Sequence, residues 1–593
     1  MKFNAGQQKV LSALSEGKNV VAIGGPGTGK TMLLIEHAAQ IATENPKAKI
    51  ALVCFAFRTA KYTENLVAQK YANLLHSGQI TVATAKDYAQ KALESEKNAE
   101  KINFAGNSKV RSMLRIAMSQ THFKGSVNEA EHIIRNFRAQ LKNPGPDTRH
   151  YPLFEAYKNL MEQAGYIDRH TIIRKHIVAM DNTTVKPAPY THILVDHIQD
   201  ATPIQLRWVL AHQKTTKNKK GAQLLCVGDD DQTLYATNGA MGMAALHKLS
   251  KTKGFETITL TEGYQTPKNL AKYVHKMPRL LLERVGKKQT EHNGAPAEFQ
   301  IKELSDFPTE WEFLQNIIQQ TLQSSPKAKI GIIVRTHEQA ARFAHLCKLA
   351  NLPHASYARP VWEQYGAQVS LSSLYLLLGQ AQPSQLTNVL HVMGVSPKLQ
   401  AELIQSSHLA EGVGTWLQNG LQLPDIKITE HITAENIATL RRARRMLSGT
   451  WQAIQQRKIN PKDAFLALMQ QSMPRLSDEH KQYALLATDM LANIQGPLRE
   501  ELQILLTETL PDTTAPIIIA PVRETRNMAF DVLLMPTCHA SQWPLMQGAV
   551  MTQDTEHERR LFYTALARSK GHIICTSSTG LSPYLGELQI QKI

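Results

Sequence analysis

Gly24-Gly25-Pro26-Gly27-Thr28-Gly29-Lys30-Thr31 is the stretch on which the reading of this chain turns. It matches the pattern G-x-x-x-x-G-K-[ST]. The apolar run Val20-Val21-Ala22-Ile23 precedes it, and the helical pattern Met32-Leu33-Leu34-Ile35-Glu36-His37-Ala38-Ala39 follows. Strand, glycine-rich turn and helix is the context in which this pattern cradles phosphate. The glycines let backbone N–H groups converge on a phosphate, and the N-terminus of the helix adds partial positive charge. In such a loop Gly24, Gly25, Pro26, Gly27, Thr28 and Gly29 form the cradle. Lys30 reaches the β- and γ-phosphates, and Thr31 ligates Mg²⁺. A nucleoside triphosphate is the expected ligand, and the question becomes what its binding drives.

The chain has 593 residues, which suggests roughly three to four domains. Lys and Arg number 67 against 50 Asp and Glu, a formal charge of +17. That excess favours a polyanionic partner, while leaving a merely basic enzyme open. Hydrophobic residues at 42% and charged residues at 20% mark a globular chain and exclude a disordered one. The five cysteines, Cys54, Cys226, Cys347, Cys538 and Cys575, form no C-x-x-C. They read as buried thiols in a reducing cytosol, not as a zinc or iron–sulfur site. The histidines contain no H-E-x-x-H. The start, Met1-Lys2-Phe3-Asn4, has no apolar h-region, and no apolar run reaches membrane-spanning length. A cytoplasmic protein with no membrane partner is expected.

Short apolar strands alternate with helical patterns in two blocks. The first holds Val20–Ile23, Ile50–Phe55, Ile193–Asp196 and Leu224–Gly228, and the second Ile330–Val334, Ile517–Ala520, Val532–Met535 and Ile573–Thr576. Such strands followed by helices predict two parallel α/β sheets. Two long helical stretches interrupt them. Residues 90–187 are polar and basic; residues 370–512 are rich in Leu, Gln and Ala with helical periodicity. Each reads as an inserted subdomain. The run Lys214-Thr215-Thr216-Lys217-Asn218-Lys219-Lys220 reads as a solvated loop.

A second nucleotide motif should be an apolar strand ending in Asp, and His192-Ile193-Leu194-Val195-Asp196 fits. It continues as Asp196-His197-Ile198-Gln199-Asp200. Further on stand Val227-Gly228-Asp229-Asp230-Asp231-Gln232-Thr233-Leu234-Tyr235, Leu260-Thr261-Glu262-Gly263-Tyr264-Gln265-Thr266, and Glu558-Arg559-Arg560-Leu561-Phe562-Tyr563 through Ala567-Arg568. In order and spacing these segments resemble motifs II, III, IV and VI of superfamily 1A DNA helicases of the UvrD/Rep/PcrA type. Asn4-Ala5-Gly6-Gln7 resembles the Q motif, Ala51 to Arg58 motif Ia, and Val82 to Tyr88 motif Ib. The glycine-rich loop itself looks more like the RecD-type branch; the Gln199-Asp200 pair and G-D-D-D-Q favour the UvrD branch.

The resemblance implies two RecA-like P-loop NTPase lobes with two inserted, mainly helical subdomains. The first lobe would take residues 1–89 and 188–270, its insertion 90–187, the second lobe 271–369 and 513–593, and its insertion 370–512. The cofactors would be ATP and Mg²⁺, the partner single-stranded or partly duplex DNA, and the movement 3′→5′. Lys30, Asp196, Gln232 and Arg568 would serve catalysis, with Thr31 and Asp196 on the metal. Gln7 would read the adenine edge, Tyr264 would stack on the ring, and Arg568 would touch the γ-phosphate. Phe55, Thr84 and Tyr235 would lie along the strand. Aromatic stacking and basic residues bind a strand without reading its sequence. Arg135, Arg138 and Lys142 have spacings that put them near one helical face, and Arg441-Arg442-Ala443-Arg444-Arg445 has similar status. Each reads either as a strand contact or as a solvated helix face.

Several positions depart from the family pattern. His197 stands where the family has the glutamate that deprotonates the attacking water, a role worth about 10²–10⁴ in rate. Histidine is either a substitute base or an inert replacement. Gln265 replaces the motif IV arginine; an arginine finger is worth about 10³–10⁵. Motif III has Thr237-Asn238 where an aromatic and an arginine are expected. Motif V, T-x-H-x-x-K-G-x-E-F in the family, reads Pro521-Val522-Arg523-Glu524-Thr525-Arg526-Asn527-Met528-Ala529-Phe530, with Ala529 in place of the glutamate. Nucleotide-binding groups are kept while hydrolytic and coupling groups are lost. Two functions remain open: an attenuated ATP-dependent translocase, or a catalytically weak module beside another motor or a nuclease. The chain ends soon after motif VI, so no nuclease domain of its own is expected.

Overall fold

The computed structural model describes residues 3–95, 103–125, 127–182, 190–213, 221–405, 412–418, 432–494, 502, 506, 514–547, 550–551 and 555–589. The basic run 214–220 lies outside them. The chain divides into two compact units, Met1–Ile333 with Val522–Ile593, and Val334–Pro521.

The first unit contains a six-stranded parallel sheet. Its strands are β1 (Asn19–Gly24), β2 (Ile50–Cys54), β3 (Ile80–Thr84), β4 (His192–Val195), β5 (Gln223–Gly228) and β6 (Phe255–Leu260), in the order β3-β2-β4-β5-β1-β6. Side chains alternate between faces along a strand. Accordingly Val20, Ala22, Leu52, Leu194 and Leu225 join the core under helices Ala5–Ser15 and Lys30–Glu44. Their neighbours Val21, Ile23, Val53, Val195 and Cys226 join the opposite core with Trp208 and Val209 of helix Pro203–Ala211. With both faces covered, the central strands are continuous apolar runs, as parallel strands require.

Four further parallel strands of the same unit belong to a second sheet. Ile330–Val334 pairs with Phe530–Met535, which pairs with Ser569–Ser577, which pairs with Phe299–Glu303. The fold is thus α/β with parallel sheets, as expected. Helices Asn107–Gln120, Val127–Ala139 and Tyr151–Gln163 follow the first three strands and pack a separate small core of Leu114, Ile134, Phe154, Tyr157 and Met161. The expected basic face on these helices is corrected by the packing. Helix Val127–Ala139 ends before Lys142, and Arg138 is buried over the Phe154 ring with its Nε 3.4 Å from Asp168. Arg135 is tied to Glu131 and donates to Asn238 at 3.0 Å. The guanidinium of Arg138 is thus turned into the subdomain, where it neutralises a carboxylate.

The second unit is mainly helical. Helices Tyr365–Leu377, Pro383–Val392, Ala434–Gln455, Pro461–Ser472 and Asp478–Ala492 share one apolar core, to which Trp416 and Phe465 contribute. Strands His354–Ser356 and Ile517–Pro521 pair in parallel beside it. Of the arginine cluster, Arg441, Arg442 and Arg445 are exposed. Arg444 instead lies buried over the Trp416 ring and donates to the Trp416 carbonyl at 3.1 Å.

Candidate nucleotide site

Strands β4, β5 and β1 are neighbours, so their carboxyl ends bring three loops together: 24–31, 196–200 and 228–235. This edge of a parallel sheet is where ligands bind in open α/β folds. Gly27 and Gly29 have φ of +73° and +75°, the left-handed region that glycine enters without strain. A Cβ on Gly27 would lie 2.5 Å from the Gln265 Cβ. The turn therefore needs glycine for its conformation and for the close approach of its neighbour.

Lys30 opens helix Lys30–Glu44, and its ammonium folds back to donate to the Gly24 and Gly25 carbonyls at 2.7 and 2.6 Å. Burial lowers its pKa to about 8, against the pull of Asp229 and Asp196. Thr28 closes the loop by donating to the Gly25 carbonyl at 2.9 Å. Gln7 is buried under it, donating to the Thr28 carbonyl at 3.2 Å while its oxygen caps helix Ala5–Ser15. Thr31 and Asp196, 165 residues apart in sequence, meet with the hydroxyl donating to the carboxylate at 2.7 Å. One carboxylate and one hydroxyl, both hard oxygens, suit Mg²⁺, which fills its remaining positions with water and phosphate oxygens. The glycine cradle and its buried ammonium suit the phosphates.

His197 follows with φ of +54°, and its amide donates to Asp196 Oδ1 at 2.9 Å. Burial drives its imidazole down to about 4, so the ring is neutral near pH 7. Asp229, Asp230 and Asp231 are all buried beyond β5. Lys287 reaches all three, and Arg284 grips Asp231 through two nitrogens at 2.9 and 2.7 Å. Gln232 donates to Asp229 at 2.6 Å and accepts from Arg568 through its side-chain oxygen. Arg568 is held in turn by the Thr564 carbonyl at 3.1 Å, and burial lowers its pKa to about 10. Lys30, Thr31, Asp196, His197, Gln232 and Arg568 therefore belong to one connected cluster.

The UvrD/REP helicase N-terminal domain matches residues 3–253. That span contains five of the six strands of the six-stranded sheet, β1 to β5, and stops just short of β6. Residues 3–253 belong to the UvrD/Rep helicase family. DNA helicase II of Escherichia coli strain K12 is 28% identical over 140 residues, 23% of this chain and 19% of that protein. DNA helicase II of Salmonella typhimurium is 23% identical over 292 residues, 46% and 39% of the two. DNA helicase II of Rickettsia typhi is 24% identical over 289 residues, 44% and 42%. The chain thus spans less than half the length of the curated relatives it matches. No helix among the described residues is long and apolar enough to cross a membrane.

Around the UvrD/Rep core, Tyr264 is 48% exposed, stacked on His292 with centroids 5.3 Å apart. Its hydroxyl donates to Glu262 at 2.6 Å and accepts from Asn4 at 3.1 Å, beside the helix that carries Gln7. Tyr264 thus presents a ring face next to the glycine loop, to which its amide is tied through the Gly27 carbonyl at 3.0 Å. Gln265 donates to the Ala567 carbonyl at 2.6 Å, next to Arg568. Phe55 is half-buried against the sheet core, whereas Phe57, two residues on, is 65% exposed. The Thr84 hydroxyl is engaged with Asp87 in the capping box of helix Ala85–Glu94, and the Tyr235 hydroxyl donates to the Arg523 carbonyl at 3.3 Å. The Tyr235 hydroxyl lies close to Asp200 and Arg526, whose charges it feels.

Sequence reading missed four groups at the cluster. Arg526 is bound to Asp200 and donates to the Gln232 carbonyl at 2.9 Å. Asn527 accepts from His197. Both stand in the motif V segment, where Arg526 occupies the family's lysine position and Asn527 its glycine position, but the loose alignment there does not show that they reach Asp200 and His197. Arg284 and Lys287 carry no motif signal. Three consecutive aspartates at the end of a buried strand nevertheless demand cations, because unpaired buried charge is costly.

Proposed function

We propose that the chain binds ATP with Mg²⁺ and single-stranded or partly duplex DNA, and that it is a 3′→5′ helicase or translocase with attenuated hydrolysis. The observation that carries this is the meeting of Thr31 and Asp196 at 2.7 Å at the foot of the glycine cradle holding Lys30. In this reading Lys30 neutralises the β- and γ-phosphates, and Gln232 and Arg568 face the γ-phosphate as a hydrogen-bonded pair. Gln7 and Tyr264 hold the adenine, while Phe55, Thr84 and Tyr235 lie along the strand. Mg²⁺, held by Thr31 and Asp196, would neutralise charge on the phosphate oxygens. The four-part division into 1–89 with 188–270, 90–187, 271–369 with 513–593, and 370–512 belongs to the same proposal.

Attenuation follows from two side chains. His197 takes the place of the family's glutamate and has a weaker, engaged ring. Gln265 brings no charge where an arginine would stand. Removing a general base costs about 10²–10⁴ in rate. A second reading, a nucleic-acid-binding subunit acting beside a motor or nuclease, is favoured by the engagement of both His197 ring nitrogens, with Asn527 at 3.0 Å and Arg526 at 3.4 Å.

ATP hydrolysis by the purified full chain, with and without single-stranded DNA, tests the proposal. A DNA-stimulated rate that disappears in Lys30→Ala supports the attenuated motor. Absence of any stimulated rate refutes it and leaves the subunit reading.

A further inference from the structure

Two departures from the family pattern, 330 residues apart, touch each other. Where the family has glutamate in motif II and glycine in motif V, this chain has His197 and Asn527. Asn527 keeps the backbone that a glycine would supply, with φ of +61°. Asparagine is among the few other residues that adopt this conformation readily. The backbone is thus conserved in shape and a carboxamide is added to it.

That carboxamide points into the metal-binding pair. Its Oδ1 lies 3.0 Å from His197 Nε2 and 3.2 Å from the Thr31 hydroxyl, and its Nδ2 lies 3.5 Å from Asp196 Oδ2. The carboxylate of Asp196 only accepts, which turns the amide nitrogen toward it and the amide oxygen toward the histidine. A carbonyl oxygen also only accepts, so Nε2 of His197 carries its proton and donates. The other ring nitrogen faces the Arg526 guanidinium at 3.4 Å. Both ring nitrogens are thus engaged by neighbouring side chains.

We infer that Asn527 is a positioning residue for this site, and that it and His197 form a single tie between the Asp196 loop and segment 522–528. Within that tie His197 is a structural donor and not the proton acceptor for water. Held in place by His197, the Asn527 carboxamide is the outer-shell partner of both Thr31 and Asp196, and it positions them only while that hold is intact. This inference rests on the proposal that those two residues hold a metal–nucleotide complex.

The test is a double-mutant cycle on the full chain with His197→Ala, Asn527→Gly and the pair together. The readout is Mn²⁺ affinity, followed by electron paramagnetic resonance with a non-hydrolysable ATP analogue present. Glycine preserves the left-handed backbone, so Asn527→Gly removes only the carboxamide. Losing an outer-shell partner typically costs about 10-fold or more in metal affinity. We expect about a tenfold loss in Asn527→Gly and less than about twofold when the same change is made in His197→Ala. A second comparison uses DNA-stimulated ATP turnover: His197→Glu with Asn527→Gly should exceed His197→Glu by about tenfold or more, because the glutamate is freed from the amide. Equal losses in both backgrounds, or no gain from the second substitution, overturn the inference while leaving the nucleotide site intact. Failure of the wild type to bind Mn²⁺ with the analogue overturns the nucleotide reading and this inference with it.

Discussion

Lys287 is buried among three consecutive aspartates. Its side chain is 4% exposed, and its ammonium lies 3.0 Å from Asp229 and Asp231 and 2.5 Å from Asp230. Replacing it by methionine keeps the volume and removes the charge. Arg284 still neutralises Asp231, so Asp230 loses its ammonium partner and Asp229 keeps only the weaker pull of Lys30. Breaking a buried ion pair by deleting one partner costs about 3–5 kcal/mol. Lys287→Met should lose about that much stability at pH 7.5 in urea unfolding followed by the fluorescence of tryptophan, of which Trp208 is buried in the neighbouring core. The pH dependence has a definite sign. In the wild type Asp229 is held below its ordinary pKa of 3.8; burial opposes this, and Lys287 is the largest of the groups that achieve it. It stabilises the fold above that value, and the contribution is lost as pH falls through the folded pKa. Without Lys287, burial raises the carboxylate instead. The variant therefore recovers stability relative to wild type as pH falls from 7 towards 4. A deficit below about 1 kcal/mol at pH 7.5, the range of an exposed pair, or a deficit that grows on acidification, would refute this reasoning.

Two other outcomes follow from the site. Burial raises Asp200 to about 6, against the pull of Arg526. A folded pKa above the unfolded value makes the folded state bind more protons, so this carboxyl adds stability as pH falls from about 6 to 4; Asp200→Asn should flatten stability across that window, and an unchanged slope would count against it. Base stacking on an aromatic ring contributes about 1–3 kcal/mol. Tyr264→Ala should therefore weaken a fluorescent ATP analogue by about tenfold while leaving inorganic triphosphate binding unchanged, and equal weakening of both would exclude adenine stacking.

The parts of this molecule legible in the sequence are those whose signals are local. The central strands β1, β2, β4 and β5 are continuous apolar runs because both faces are covered, and the glycine loop carries its own backbone requirement. Missed strands lie at sheet edges. β6 alternates buried and exposed residues, and Phe299–Glu303, paired with Ser569–Ser577, does the same. A search for apolar runs passes over such edges. At the site, Lys30, Thr31, Asp196 and Gln232 were readable from motif spacing. Arg526 and Asn527 were not, because what defines them is contact with Asp200 and His197 more than 320 residues away. Helical spacing likewise placed Arg135 and Arg138 on one face but could not say that Arg138 points inward to Asp168.

The central claim is a metal-dependent nucleotide site that has kept binding while losing hydrolytic groups. Equilibrium titration of the full chain with a fluorescent, non-hydrolysable ATP analogue tests it most directly, in Mg²⁺ and again in EDTA, for wild type and Lys30→Ala. Saturable binding that requires Mg²⁺ and falls at least about tenfold in Lys30→Ala is expected, as loss of a charge-assisted contact implies. Binding indifferent to both EDTA and Lys30→Ala, or no saturable binding by the wild type, would contradict it.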